Sequence, residues 1–153
     1  MRHESRTSGA LLYMKYGTIA DMIERKDFER LVAQALEGLP RCVRGKIDNV
    51  AFCVEDRPSP AQLKAGGVKS GGLLLGLYEG VPQIVYARGQ MTRLPDKITI
   101  FQEPIERIAQ TPEAIEALVR ETVWHEIAHH FGFDEHGARG LDVKRRKRIK
   151  RYV

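Results

Sequence analysis

The stretch TPEAIEALVRETVWHEIAHHFG, residues 111–132, constrains the fold more than any other part of this chain. It carries helix signals at both ends. Thr111 is a good N-cap residue, Pro112 follows at the first helical position, and Glu113 and Glu116 suit the positive end of a helix dipole. Gly132 stands where a glycine of positive φ turns the chain out of a helix. The pattern predicts a helix from Thr111 to about Phe131. At about 100° per residue, Ile115, Leu118, Val119, Thr122 and Val123 fall on one apolar face, which must be the inward one.

The rest of the chain supplies the elements to cover that face. Phe28, Leu31, Val32, Ala35 and Leu36 share a 3.6-residue period and predict a second helix from about Asp27 to Leu36, ended by Gly38 and Pro40. IDNVAFCVED (47–56) reads as a buried strand stopped by the RPSP turn, and QIVYAR (83–88) and DKITIF (96–101) are further strand candidates. The glycine-rich stretch 64–80 lacks the Gly-Lys-Ser/Thr order of a phosphate-binding loop, because Lys69 follows Val68. It reads instead as a flexible loop leading into a short apolar segment, Leu73–Tyr78. No internal repeat is visible.

With 153 residues, 42% of them hydrophobic and 29% charged, the chain has the length and composition of one globular domain. No apolar run approaches the roughly 20 residues of a membrane helix. The start MRHESRTSGALLYMKYG lacks the apolar core and cleavage site of a signal peptide. A cytoplasmic protein with no membrane partner is expected. Its two cysteines, Cys42 and Cys53, are then expected to be free thiols. They do not form a zinc-binding CxxC pair. The net charge of +5 is unevenly spread: residues 142–153 hold seven Lys/Arg and one Asp, or +6, so the other 141 residues sum to −1. Residues 1–21 are expected to be a loosely ordered extension, 22–141 the domain, and 142–153 a basic tail.

Chemistry concentrates at the end of the long helix, where VWHEIAHHFGFDEHGAR (123–139) holds four of the five histidines. His125, Glu126 and His129 form HExxH. Positions i and i+4 lie about 40° apart around the axis and about 6 Å along it, so both imidazoles can reach one ion. They continue the inward face, where unpaired polar groups are costly and a metal would satisfy them. Glu126, rotated from His125, is better placed to hold a metal-bound water than to ligate. His130, about 100° beyond His129, is assigned to packing or support behind the ligands. A third ligand must come from beyond the helix, and Asp134, Glu135 and His136 each carry a suitable donor.

At this point the chain resembles the small bacterial zincin-like metallopeptidases, the minimal zincins, whose signature reads HExxHxxGxxD with an HH pair before Phe-Gly. The likeness takes in LLGLYEGVP (74–82), LPDKITIF (94–101), FQEPIER (101–107) and TPEAIEALVRETVWHE (111–126), and spans about residues 24–137. It implies an α+β fold, a small mixed β-sheet packed with an N-terminal helix and the HExxH helix. It implies a zinc-dependent peptidase acting on peptides or proteins, with zinc held by His125 and His129 and with Glu126 as catalytic base. The third ligand of the family, an Asp, aligns with Glu135. Glu135 is therefore the expected third ligand, one methylene longer, with His136 and then Asp134 as the rivals. A sheet edge beside the metal would suit such an enzyme, since an extended substrate can add as a strand; DKITIF is the candidate for a nearby strand.

Two other classes compete. A non-catalytic metal-binding or interaction module of the same fold would keep the site for stability. A nucleic-acid-binding protein would use KRRKRIKR (144–151) as a basic arm, but the near-neutral remainder and the lack of interleaved aromatics reduce this to weak, nonspecific attraction through the tail. Composition and motifs leave the oligomeric state open.

Overall fold

The computed structural model describes residues 23–80, 95–134 and 137. Among these residues there are five helices and three strands, an α+β arrangement: α1 (Arg25–Glu37), α2 (Arg41–Arg44), β1 (Val50–Glu55), α3 (Pro60–Ala65), β2 (Gly76–Glu79), β3 (Asp96–Phe101), α4 (Gln102–Ile108) and α5 (Pro112–His130). None of the helices is long and apolar enough to cross a membrane.

The sheet is mixed, in the order β1-β3-β2. β3 pairs parallel with β1 from Val50↔Asp96 to Glu55↔Phe101, and antiparallel with β2 from Gly76↔Ile100 to Glu79↔Lys97. DKITIF is thus the central strand, and β2 is the outer one on the side of the long helix among the described residues. Its composition explains the position. Ile98, Thr99, Ile100 and Phe101 are all fully buried, a β-branched and aromatic run that needs cover on both faces. β1 is half-buried along most of its length rather than fully buried, and Cys53 on it is half-buried too. Being the opposite outer strand explains the difference. Cys42 and Cys53 are free thiols.

α1 and α5 lie on the face of the sheet that presents Ile98 and Ile100. Phe28 and Val32 of α1 meet Ile115, Val119, Val123 and Ile127 of α5 in one core. The start of the described chain is tied in as well, since Gln102 Nε2 donates to the Ile23 carbonyl at 2.8 Å and to Glu106 Oε1 at 2.9 Å, all buried. On the opposite side, Lys97 Nζ donates to Glu55 Oε1 at 3.0 Å. That ammonium holds the Glu55 carboxyl below the usual carboxylate range against a smaller effect of burial, while Glu55 raises Lys97.

Three short helices, α2, α3 and α4, go beyond what the sequence pattern led us to expect. α3 starts inside the RPSP turn: Ser59 Oγ accepts from Gln62 N at 3.2 Å and Gln62 Oε1 accepts from Ser59 N at 2.8 Å, a capping box with Pro60 at the first helical position. The glycine-rich loop after it is folded onto itself rather than loose. Gly67 takes φ +66°, and Val68 N donates back to Leu63 O at 3.1 Å. The strand expected at 83–88, the extension 1–21 and the tail 142–153 lie outside the described residues.

Candidate metal centre

α5 begins and ends as its sequence dictates. Thr111 Oγ1 accepts from Ala114 N at 3.2 Å at the start. At the other end Gly132, at φ +90°, donates to His129 O at 2.9 Å, and Phe133 N donates to Ala128 O at 3.1 Å. This pair of bonds is a Schellman ending, which only a residue tolerant of positive φ permits at Gly132.

The ending has a chemical consequence. It swings the Phe133 carbonyl back over the last turn, where it lies 2.7 Å from His129 Nδ1. A carbonyl can only accept, so Nδ1 carries the proton and Nε2 presents a lone pair. His125 Nε2 lies 3.2 Å from His129 Nε2, with the rings nearly perpendicular. An ion at about 2.0–2.1 Å from both nitrogens would subtend roughly 100° between them, near the tetrahedral angle that zinc adopts. The two imidazoles therefore fit a zinc ion, with the outer nitrogen of His129 already fixed by a backbone acceptor, as is usual for ligating histidines.

Glu126 sits between the helix and β2. Only 6% of it is exposed, and it packs where β2 has no side chain. A Cβ built on Gly76 would lie 2.8 Å from Glu126 Cγ and from Thr122 Cγ2, and 3.0 Å from Glu126 Oε1. Glycine at this position makes the room in which the carboxylate sits. His125, Glu126 and His129 together line one open cleft of about 820 Å³, bounded by α5 on one side and by the 65–78 segment on the other.

The sequence matches the model of the zincin-like metallopeptidase family over residues 47–143. The chain belongs to that family. A search of curated proteins found no match. The family match starts after α1, yet α1 contributes Phe28 and Val32 to the same core that carries α5; the zincin-like fold here uses residues on both sides of position 47.

The other predicted site residues divide as follows. Asp134 is exposed, and its Oδ1 accepts from Gly137 N at 2.8 Å, so its carboxylate caps the next turn. Glu135 and His136 lie outside the described residues. Among the described residues no group of three or more His, Cys, Asp or Glu is placed to hold a metal ion. The site in view is the His125–His129 pair with Glu126 beside it.

His130 does more than pack in this zincin-like site. It is fully buried, and its Nδ1 lies 2.9 Å from Asp96 Oδ2. The Tyr78 hydroxyl donates to the same oxygen at 2.9 Å. One carboxylate thus joins β2, β3 and the last turn of α5 directly behind His129. Asp96 is itself buried, and its carboxylate occupies space that a side chain on Gly80 would fill, at 2.3 Å from a Cβ there. Sequence reasoning placed His130 behind the ligands but missed Asp96 and Tyr78. Asp96 opens a strand after a proline, a place where aspartate ordinarily marks a turn. Its pairing with a residue 34 positions away leaves no local signal.

Proposed function

We propose that the chain is a zinc-dependent peptidase that hydrolyses peptide bonds, with His125, His129 and Glu135 as the metal ligands and Glu126 as general base. The observation that carries this reading is the convergence of the His125 and His129 Nε2 atoms at 3.2 Å beside a buried Glu126 on the wall of an open cleft. Zinc bound there would lower the pKa of a coordinated water toward about 7 and polarise a carbonyl. The residues do the rest. His125 and His129 would hold the ion through Nε2. Glu126, rotated off the ligand face, takes the proton from the attacking water and delivers it to the leaving amine. Gly76 keeps the Glu126 carboxylate in that position.

The reading is tested by metal analysis of the untagged protein together with mass-spectrometric detection of cleavage in a peptide library. About one zinc per chain and zinc-dependent cleavage are expected. Stoichiometric zinc with no cleavage would identify a metal-binding module instead. Glu135→Ala should weaken zinc binding far more than Asp134→Ala, and a large loss at His136→Ala with none at Glu135→Ala would move the third ligand to His136. Gly76→Ala should lower turnover at least tenfold while leaving zinc content unchanged, because its methyl group would push into Glu126 and not into either histidine. Unaltered turnover in this variant would show that the position of Glu126 is not set by Gly76.

A further inference from the structure

The cleft that holds His125, Glu126 and His129 has a second end of different character. There its wall is made by Val68, Leu73 and Leu74 on one side and Leu118 of α5 on the other. This wall is built rather than draped. α3 stops at Gly66, Gly67 turns the chain at φ +66°, and a second turn closes with Gly72 N donating to Lys69 O at 2.9 Å. The glycines let the aliphatic groups pack down. A Cβ on Gly66 would lie 2.7 Å from Leu74 Cδ1, and one on Gly72 would lie 2.7 Å from Val68 Cγ1. Leu73 remains 40% exposed, one of three large hydrophobic side chains so exposed among the described residues. An aliphatic side chain left open on the wall of a site is a place for an apolar ligand group.

The distance from the metal end follows from the helix. β2 runs alongside α5 in the same direction, since Gly76 abuts Thr122 and Glu126 while Tyr78 meets His130 two strand residues further on. The segment preceding β2 therefore lies back toward Leu118. Leu118 precedes His125 by seven residues, which is about 10 Å along the axis at 1.5 Å per residue. An extended peptide covers that in about three residues at 3.3 Å each. Glu121 lines the cleft between these ends.

We propose that the cleft selects peptides with an aliphatic or aromatic side chain about three residues to one side of the scissile bond, seated between Leu118 and the Val68–Leu74 wall, and disfavours acidic residues there. The inference rests on the peptidase reading of the metal end. A peptide library randomised on both sides of a central bond is digested with the zinc-loaded full chain, and binding of fluorescent members to zinc-loaded Glu126→Gln is measured in parallel. Cleaved peptides should be enriched in Leu, Ile, Val, Met or Phe over Asp and Glu at one position two to four residues from the cut. The factor should be roughly ten- to a hundredfold, the worth of one buried aliphatic side chain. Leu73→Glu, at an exposed position where folding is unthreatened, should erase the enrichment and favour Lys or Arg instead. Leu118→Glu should do the same. Active enzyme with a flat profile over those positions, or a profile unmoved by Leu73→Glu, overturns the proposal. Absence of all cleavage would count against the peptidase reading, and the binding arm would then decide the cleft. An apolar preference lost in Leu73→Glu/Glu126→Gln supports the proposal, and indifference to side chain overturns it.

Discussion

Glu126→Gln should bind as much zinc as the parent chain and cleave nothing measurable, whereas His125→Ala and His129→Ala should each lose the metal and the activity together. The split follows from geometry. The histidine Nε2 atoms converge on one point, and each would supply the proposed zinc with a bond that alanine cannot replace. Glu126 faces β2 and the cleft, so an amide of the same shape should leave the histidine pair intact while removing the carboxylate proposed to accept a proton. Loss of a general base alone costs about a hundred- to ten-thousandfold in rate, enough to take a slow peptidase below detection. Zinc content by elemental analysis and cleavage by mass spectrometry separate the two classes of variant. Cleavage surviving in Glu126→Gln would require another base. Full occupancy in the His125→Ala/His129→Ala double variant would place the metal elsewhere.

The long helix was legible because its signals are local. A cap residue, a proline, an apolar period and a terminal glycine all act within a few residues, and each does in α5 what its chemistry predicts. The HExxH side chains share that legibility, since their spacing on a helix is set by the helix. Strand order is different. DKITIF carries the β-branched run of a buried strand, but whether it sits at the centre or the edge depends on which distant segments pair with it, and among the described residues that pairing places β2 rather than β3 on the outside beside the cleft. α3 is an intermediate case. Its capping box, Ser59 with Gln62, is written in the sequence, but two prolines in RPSP read first as a turn. The glycines of 64–80 carry the least local information. Their use is to admit other residues, Gly66 for Leu74, Gly72 for Val68 and Gly76 for Glu126, and those partners become visible only when the chain is folded.

The buried carboxylate of Asp96 gives the second large effect. Asp96→Ala should destabilise the protein by about 3 kcal/mol, the upper range for leaving a buried donor without its acceptor when the lost partner is a carboxylate. Two donors lose this acceptor at once, His130 Nδ1 and the Tyr78 hydroxyl, and the fully buried His130 cannot exchange it for water. His130 Nε2 is already buried with no hydrogen-bond partner among the described residues, so after the substitution the whole imidazole would be unsatisfied. Against a total stability of about 5–15 kcal/mol for a domain, the loss is a large share of the whole. Asp96→Asn should cost distinctly less, since both donors address the same oxygen and an amide oxygen can take its place. The ordering wild type, Asn, Ala is read by urea denaturation of the zinc-free protein, which separates this packing effect from the stabilisation that bound metal adds. In the folded fraction, Asp96→Ala should also bind zinc more weakly, because the carboxylate anchors to the sheet the helical turn that carries His129. Equal stability of all three proteins would show that the Asp96–His130 contact does not hold the end of α5 in place.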